Sequence, residues 1–172
     1  MGKIIFISGG ARSGKSSYAL NLARRLARRV AFVATCEPLD KEMKKRIDAH
    51  KKSRPREWKT FEVPQKISPL LSSINAAFEV VIIDCITLLV TNLLLRGYKE
   101  AAVEREIKKM CRLLKKMPAD AVIVSNEVGL GIVPENEIAR EFRDIAGRMN
   151  QIIAAGSDEV FFMVSGLPLK IK

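Results

Sequence analysis

Residues 3–17 constrain the chain more than any other stretch. An apolar run at residues 4–7 breaks into a glycine-bearing loop, and a helix-like pattern follows it. Backbone N–H groups in such a loop point into one concavity, and the following helix adds the positive end of its dipole. The sequence therefore predicts a P-loop for a nucleoside triphosphate, with Lys15 at the β and γ phosphates and the Ser16 hydroxyl on Mg²⁺. The loop matches G-x-x-x-x-G-K-[ST] at every fixed position and consists of Gly9, Gly10, Ala11, Arg12, Ser13, Gly14, Lys15 and Ser16.

Apolar runs of strand length alternate with helical patterns along the whole chain. This order predicts an α/β fold of the P-loop NTPase kind, with a mostly parallel central sheet covered by helices. With 172 residues and no linker, we expect residues 1–172 to form a single domain. The predicted strands are 30–34, 58–63, 80–84, 121–125 and 160–164, with an edge strand at 168–171, and the predicted helices run to about residue 28 and then over 40–52, 68–78, 86–95, 100–116 and 136–155.

Polar residues follow several of these strands. In a parallel sheet, ligands bind beyond the carboxyl ends of the strands, so these residues should share one edge with the phosphate loop. Asp84 ends an apolar strand as a Walker B carboxylate does, where it would hold Mg²⁺ directly or through water; a cap on the next helix is the alternative. Glu127 could position a nucleophile or bind a second ligand group. The edge residues are Ala34, Thr35, Cys36, Asp84, Ser125, Asn126, Glu127, Ser165 and Gly166.

A formal net charge of +11 raises the question of an anionic partner. Most of the excess lies on predicted helices, where solvated faces account for it. The segment 51–56 is different, because it falls in a predicted loop and could gather anionic ligand groups there.

Composition excludes several other classes. The apolar stretch 80–95 contains polar residues and falls short of the roughly 20 apolar residues that a membrane span requires, so we expect no membrane span. The phosphate loop begins too early for a signal peptide, and a cytoplasmic protein is expected. Cys36, Cys85 and Cys111 are odd in number and widely spaced, which favours buried, reduced thiols over a disulfide or a zinc site.

His50 is the only histidine in the chain. Its spacing from Met43 and Ile47 places it on the stripe of a helix that should face the body of the protein, and a histidine on such a stripe can be purely structural. The basic segment that follows it suggests another role, because neutral imidazole is a nucleophile toward phosphorus.

Together, the motifs resemble one enzyme family over essentially the full length. The family is the bifunctional adenosylcobinamide kinase and adenosylcobinamide-phosphate guanylyltransferase of cobalamin synthesis. The phosphate loop is generic, whereas the His50 stretch and the run at 125–135 are specific to the family. The segments that carry the resemblance are 9–16, VAT at 33–35, the stretch 40–58, DCITLLVTN at 84–92, SNEVGLGIVPE at 125–135, FRDIAGRMNQ at 142–151 and VSG at 164–166.

The resemblance implies two reactions at one nucleotide site. The hydroxyl of the substrate's aminopropanol arm takes the γ-phosphoryl group of ATP or GTP; GTP then transfers GMP to a histidine, and the substrate phosphate displaces that histidine to give adenosylcobinamide-GDP. It also implies a RecA-like fold and a homotrimer with sites near subunit contacts. The family's guanylylated histidine falls on His50, and its nucleotide contacts fall on residues 9–16 and on Ala34, Thr35, Cys36, Lys51, Lys52, Ser53, Arg54, Glu62 and Asp84.

Two other readings remain. A plain small-molecule kinase would use the phosphate loop and leave His50 structural. A nucleic-acid-stimulated ATPase would explain the net charge, but only 6% of the residues are aromatic and no stacking platform is recognisable, so no nucleic-acid partner is expected.

Overall fold

The computed structural model describes residues 1–38, 41–52, 54–74 and 77–172. Strands and helices alternate through most of the chain. The strands are β1 (Ile4–Gly9), β2 (Val30–Ala34), β3 (Lys59–Glu62), β4 (Val80–Asp84), β5 (Asp120–Val124), β6 (Glu159–Val164) and β7 (Leu167–Lys170). The helices are α1 (Lys15–Leu26), α2 (Lys41–Lys52), α3 (Ser68–Ser73), α4 (Ile86–Leu95), α5 (Glu100–Lys116) and α6 (Glu137–Gly156).

The strands form one sheet in the order β3-β2-β4-β5-β1-β6-β7. Every pairing is parallel except that of β6 with β7, which is antiparallel. The predicted α/β fold, a mostly parallel P-loop-type sheet covered by helices, is therefore confirmed. The parallel order also brings the carboxyl ends of β1, β2, β4 and β5 to one edge of the sheet.

Helices cover both faces of the sheet. One face packs against α3, α4, α5 and α6 around fully buried side chains such as Leu71, Leu89, Ile107 and Ile153. The other face packs against α1 and Trp58. Both faces of β2 are buried, as its unbroken apolar sequence predicts. The phosphate loop thus lies at the sheet edge, with α1 on one side and α4 and α6 on the other.

Two helix ends differ from the sequence predictions by more than one residue. The first helix ends at Leu26, because Ala27 adopts an extended backbone and its N–H still bonds the Ala23 carbonyl oxygen. The third helix ends at Ser73 rather than Phe78, with Ile74 as its C-terminal cap. The end of α2 at Lys52 is the end predicted for the helix over 40–52, so Lys51 and Lys52 lie in its last turn and not in the loop considered for segment 51–56. Positive charge is favourable there, at the negative end of the helix dipole.

Across the described ranges, no helix combines the length and the apolar character needed to cross a membrane.

Candidate nucleotide site

The phosphate loop connects β1 to α1 through backbone conformations that favour glycine. Gly9 and Gly14 have φ angles of 148° and 92°, and Arg12 between them has a φ of 57°. The turn is tied to the β6–β7 connection, because the Gly166 N–H donates to the Ser13 carbonyl oxygen at 3.0 Å. This bond and the backbone conformations of the glycines fix the shape of the loop before any ligand binds.

Gly14 is a loop position where a side chain is poorly tolerated. A Cβ there would lie 3.2 Å from the Gly166 Cα, on backbone already at positive φ. We expect Gly14→Ala to lower the free energy of unfolding by about 1–3 kcal/mol, the usual cost of a non-glycine residue in such a conformation. Gly10→Ala is the matched control, since a Cβ at Gly10 meets no atom within 4 Å. Urea unfolding of both variants tests this, and equal losses would contradict the loop geometry.

Lys15 begins α1 and is buried beneath the loop. Its Nζ donates to the Gly10 carbonyl oxygen at 2.5 Å and lies 3.4 Å from the Ser13 hydroxyl. Burial lowers the pKa of Lys15, while the nearby Cys85 and Asp84 raise it. The lysine is therefore positioned at the loop by the protein, and a polyphosphate in the loop would add to the charges that stabilise its ammonium form.

Asp84 and Ser16 form the second part of the site. Asp84 ends β4 beside Ala34 of β2, and its carboxylate accepts a hydrogen bond from the Ser16 hydroxyl. Burial raises the pKa of Asp84, and Ser16, His50, Arg54 and Lys15 each act in the opposite direction. These two hard oxygen groups suit Mg²⁺, which is commonly held by one or two protein oxygens together with substrate phosphates.

The raised pKa of Asp84 predicts a pH-dependent gain in stability for Asp84→Asn. The carboxyl group gives up its proton at a lower pH in the unfolded chain than in the folded protein. Stability therefore falls as the pH rises above 3.8, the ordinary pKa of an aspartate, toward the raised pKa of the folded state. Asparagine does not titrate. In the absence of metal and nucleotide, the free energy of unfolding of the variant should exceed that of wild type by more at about pH 7.5 than at about pH 4.

Urea unfolding in the presence of a chelator, at both pH values, measures this difference. Asp48→Asn on the exposed side of α2 is the control and should show no such pH dependence. An Asp84→Asn gain that is the same at both pH values would show that burial does not disfavour this carboxylate.

The carboxyl end of α2 brings positive charge toward Asp84. His50 is exposed, so the prediction that it faces the body of the protein is wrong. It nevertheless lies close enough to Asp84 to lower the pKa of that carboxyl group. Lys51 pairs with Glu62 at the end of β3, with Nζ and Oε1 2.5 Å apart. Lys52 is exposed, and Ser53 lies outside the described residues. The helix therefore presents an accessible imidazole close to Asp84.

Arg54 reaches the site by stacking. Its guanidinium carbon lies 3.7 Å from the centre of the buried Phe32 ring, and its Nη1 is 3.4 Å from the Thr60 hydroxyl. Burial lowers the pKa of Arg54, while Asp84 and Glu62 raise it. Stacking of this kind holds a planar cation in a fixed orientation. Arg54 is thus a second positioned cation at the edge where the phosphate loop lies.

The end of β2 is joined to the end of β4 by one side chain. The Thr35 hydroxyl accepts from the Cys85 N–H at 2.8 Å and donates to the Cys85 carbonyl oxygen at 2.7 Å. Ala34 is buried and Cys36 is half-buried, with burial and Asp84 raising the pKa of the Cys36 thiol. All three cysteines are free, but only Cys85 is buried; Cys36 and Cys111 are half-buried.

Three polar residues of this edge were not singled out from the sequence. Thr87 bonds the Ser125 hydroxyl at 3.1 Å and accepts from the Asn126 N–H at 2.7 Å. The Asn92 amide donates to the Thr35 and Pro64 carbonyl oxygens at 2.7 and 2.8 Å. The Asn150 amide donates to the Asn126 carbonyl oxygen at 3.1 Å. Their signal in the sequence is a polar residue at a position that helical spacing places in the core.

Glu127 lies beside the phosphate loop. Its N–H donates to the Gly9 carbonyl oxygen at 2.9 Å, and its carboxylate accepts from the Gly129 N–H at 2.7 Å. In this geometry the carboxylate shapes the turn that follows β5.

The sheet, its carboxyl edge and the positioned lysine define a class: the chain is a P-loop nucleotide-binding protein. A family model described as cobinamide kinase / cobinamide phosphate guanyltransferase matches residues 5–171. The chain belongs to this family of bifunctional enzymes.

Curated relatives agree with the family model. The chain is 43% identical over 181 residues to the bifunctional adenosylcobalamin biosynthesis protein CobU of Salmonella typhimurium, covering 98% of this chain and 99% of the relative. The Escherichia coli protein of the same name is equally similar, with 43% identity and the same coverage. The Pseudomonas aeruginosa protein CobP is 40% identical over 166 residues, covering 96% of this chain and 95% of the relative.

Proposed function

We propose that the chain performs both reactions of its family at the one nucleotide site described above. In the first, adenosylcobinamide is phosphorylated by ATP or GTP; in the second, GMP passes from GTP to adenosylcobinamide phosphate through a histidine–GMP intermediate. One observation carries this proposal: the carboxylate of Asp84 interacts with Lys15 and Ser16 of the phosphate loop and also with His50 and Arg54. The groups for phosphoryl transfer and for nucleotidyl transfer therefore surround a single carboxylate.

The kinase reaction depends on positioning and on charge neutralisation. The loop amides would hold the β and γ phosphates, and Lys15 would stabilise the charge that develops as the γ-phosphoryl group moves to the substrate hydroxyl. Ser16 and Asp84 would hold Mg²⁺, which neutralises phosphate charge when bound. Among the described residues, no group of three or more His, Cys, Asp or Glu side chains could hold a metal ion.

The transferase reaction needs a nucleophile because both partners are anions. We assign this role to His50, whose imidazole attacks the α-phosphorus of GTP so that the bond to the β-phosphate oxygen breaks and pyrophosphate leaves. The phosphate of adenosylcobinamide phosphate then attacks the same phosphorus and releases the imidazole. The exposure of His50 supports this role, because a nucleophile must be accessible to both a nucleotide and a large second substrate.

The remaining residues of the proposed nucleotide site are those that surround these groups. The ion pair of Lys51 with Glu62 lies at the end of β3, the guanidinium of Arg54 stacks on Phe32 of β2, and Lys52 is exposed at the end of α2. All of these cations would contact the nucleotide. Ala34, Thr35 and Cys36 would line the same edge, and Ser53 is proposed with its neighbours. We further propose that residues 1–172 act as one domain, in a homotrimer in the cytoplasm.

A two-stage assay tests the function. Purified protein with Mg²⁺, adenosylcobinamide and ATP should form adenosylcobinamide phosphate, and added GTP should then yield adenosylcobinamide-GDP with one pyrophosphate per product. Phosphate transfer without GMP transfer would instead support a plain small-molecule kinase. ATP hydrolysis that rises on addition of DNA at low salt, without any corrinoid product, would instead support a nucleic-acid-stimulated ATPase.

A further inference from the structure

One strip of α6 is used by neither proposed reaction. It consists of Arg143, Gly147 and Asn150, called here the α6 strip. At about 100° per residue, the spacings of four and three place these residues on one side of the helix. Arg143 and Gly147 are half-buried, and Asn150 is 7% exposed. The strip therefore runs along the border between the buried and the exposed faces of α6.

The two polar ends of the strip have unsatisfied atoms. In the part of the chain that the structure describes, Asn150 Oδ1 and Arg143 Nη1 are buried side-chain atoms without a hydrogen-bond partner. The other amide atom of Asn150 is engaged, because Nδ2 donates to the Asn126 carbonyl oxygen at 3.1 Å. Buried polar groups in native proteins are almost always paired, so a ligand that supplies one donor and one acceptor would explain both atoms.

Between these two ends the strip is open. A Cβ built on Gly147 would meet no atom within 4 Å. Crowding by the protein therefore does not require glycine there, although glycine is less favourable than alanine inside a helix. The open space lies one helical turn from each unsatisfied atom, and so a bound group can pass over Gly147 and reach both.

The strip also lies at the reacting edge of the sheet. Asn126 follows β5, and the next residue, Glu127, donates its N–H to the Gly9 carbonyl oxygen at 2.9 Å. The far end of α6 lies at the opposite edge, where the Asp158 N–H bonds the Ile4 carbonyl oxygen at 2.8 Å. Arg143, about 10 Å along the helix from Asn150, therefore stands beyond the carboxyl edge.

The face of the sheet on which α6 packs also bears on what the α6 strip could bind. The α6 helix packs on the face opposite to α1, the helix that follows the phosphate loop. In phosphoryl transfer the attacking and leaving oxygens lie roughly in line with the phosphorus, so the acceptor approaches the γ-phosphate from the side away from the rest of the nucleotide. The α6 strip flanks the edge on the face opposite to the helix that binds the phosphates.

We propose that the α6 strip is the subsite for the acceptor arm of the corrinoid substrate. An N–H or O–H group of the arm donates to Asn150 Oδ1, the arm crosses Gly147, and a carbonyl or phosphate oxygen accepts from Arg143 Nη1. These residues orient the arm and exchange no proton with it. The phosphorylated substrate binds Arg143 more tightly than the alcohol does, because a hydrogen bond between two charged groups is the stronger one. This assignment rests on the proposed function.

Filling the open space is the sharpest test. Gly147→Leu should raise the dissociation constant of adenosylcobinamide roughly tenfold or more, the effect of side-chain bulk in a substrate subsite. Binding of a non-hydrolysable GTP analogue should stay within about twofold of wild type, since the strip does not contact the nucleotide. Gly156→Leu is the matched control, because Gly156 ends the same helix and a Cβ there also meets no atom within 4 Å.

Corrinoid binding is followed by calorimetry, with thermal unfolding as the check on folding. Unchanged corrinoid affinity in a folded Gly147→Leu variant overturns the proposal. An equal loss of corrinoid and nucleotide affinity overturns it as well, because the strip would then act through the fold. If Gly147→Leu does not fold, Arg143→Met decides the question in its place.

Arg143→Met keeps the length of the side chain and removes the donor. It should weaken the binding of adenosylcobinamide phosphate by about tenfold or more and the binding of adenosylcobinamide by less. This is the effect expected for the loss of a hydrogen bond to a charged group. Equal affinities for variant and wild type would show that Arg143 contacts no substrate. A wild-type protein that binds neither corrinoid would refute the proposed function itself, whereas wild-type binding with unaffected variants refutes only the α6 strip.

Discussion

A His50→Ala variant is expected to lose guanylyl transfer by at least about a thousandfold, because the reaction loses its nucleophile. The kinase reaction should remain within about tenfold of wild type, since His50 is exposed and exposed charges interact weakly. Pyrophosphate release from GTP, with adenosylcobinamide phosphate as acceptor, measures the first effect. Phosphate transfer from ATP to adenosylcobinamide measures the second.

Lys44→Ala is the matched control for this difference between the transferase and kinase activities. Lys44 is an exposed cation on the same helix, so its removal changes the charge of α2 without removing the imidazole. The control should keep both activities. Equal losses of kinase and transferase in His50→Ala would show that the histidine supports the fold or the nucleotide site in general, and would return it to a structural role.

A Lys15→Met variant is expected to lose both reactions, each by about a hundred- to a thousandfold in kcat. Both steps use the triphosphate that the loop holds, and both develop charge that the ammonium group stabilises. Folding should persist, because burial already lowers the pKa of Lys15 and so disfavours its charged form at this position. Steady-state rates of both reactions, with thermal unfolding as a check, measure the effect.

Arg24→Ala provides the comparison on the same helix. Arg24 lies in the last turn of α1, far along the helix from the loop, and its removal should leave both rates near those of wild type. A Lys15→Met variant that keeps transferase activity while losing the kinase would contradict a single shared nucleotide site, since the two reactions would then use different phosphate sites.

Much of the fold could be predicted because its local signals agree with one another. The bounds of β2, β4, α4 and α5 are those predicted, since each run is uniformly apolar or clearly periodic and is flanked by a change of pattern. The edge strand β7 was also expected. Prediction failed at helix ends, where one cap or one extended residue such as Ala27 decides between two otherwise similar sequences.

The site could be predicted where a sequence motif implies a known three-dimensional arrangement. The phosphate loop and Asp84 come together as expected, because parallel strands bring their carboxyl ends to one edge. The exposure of His50 was missed, since helical spacing defines a stripe but does not say how closely a short helix packs against the sheet.

The stacking of Arg54 on Phe32 could not be predicted from the sequence either. It joins a residue after α2 to the middle of β2, and no local pattern encodes such a contact. The hydrogen bond from Asn150 to Asn126 could not be predicted for the same reason. An asparagine at a core position of a periodic helix is, however, a signal that could have been used.

The central claim is that GMP becomes covalently attached to His50. The most direct measurement is incubation of the purified protein with Mg²⁺ and GTP labelled at the α-phosphate, followed by denaturation, proteolysis and identification of the labelled peptide. The claim predicts a label that is lost in acid, survives in base and lies on the peptide that contains His50. Active protein that hydrolyses GTP and retains no label, or that carries the label on another residue, would contradict it.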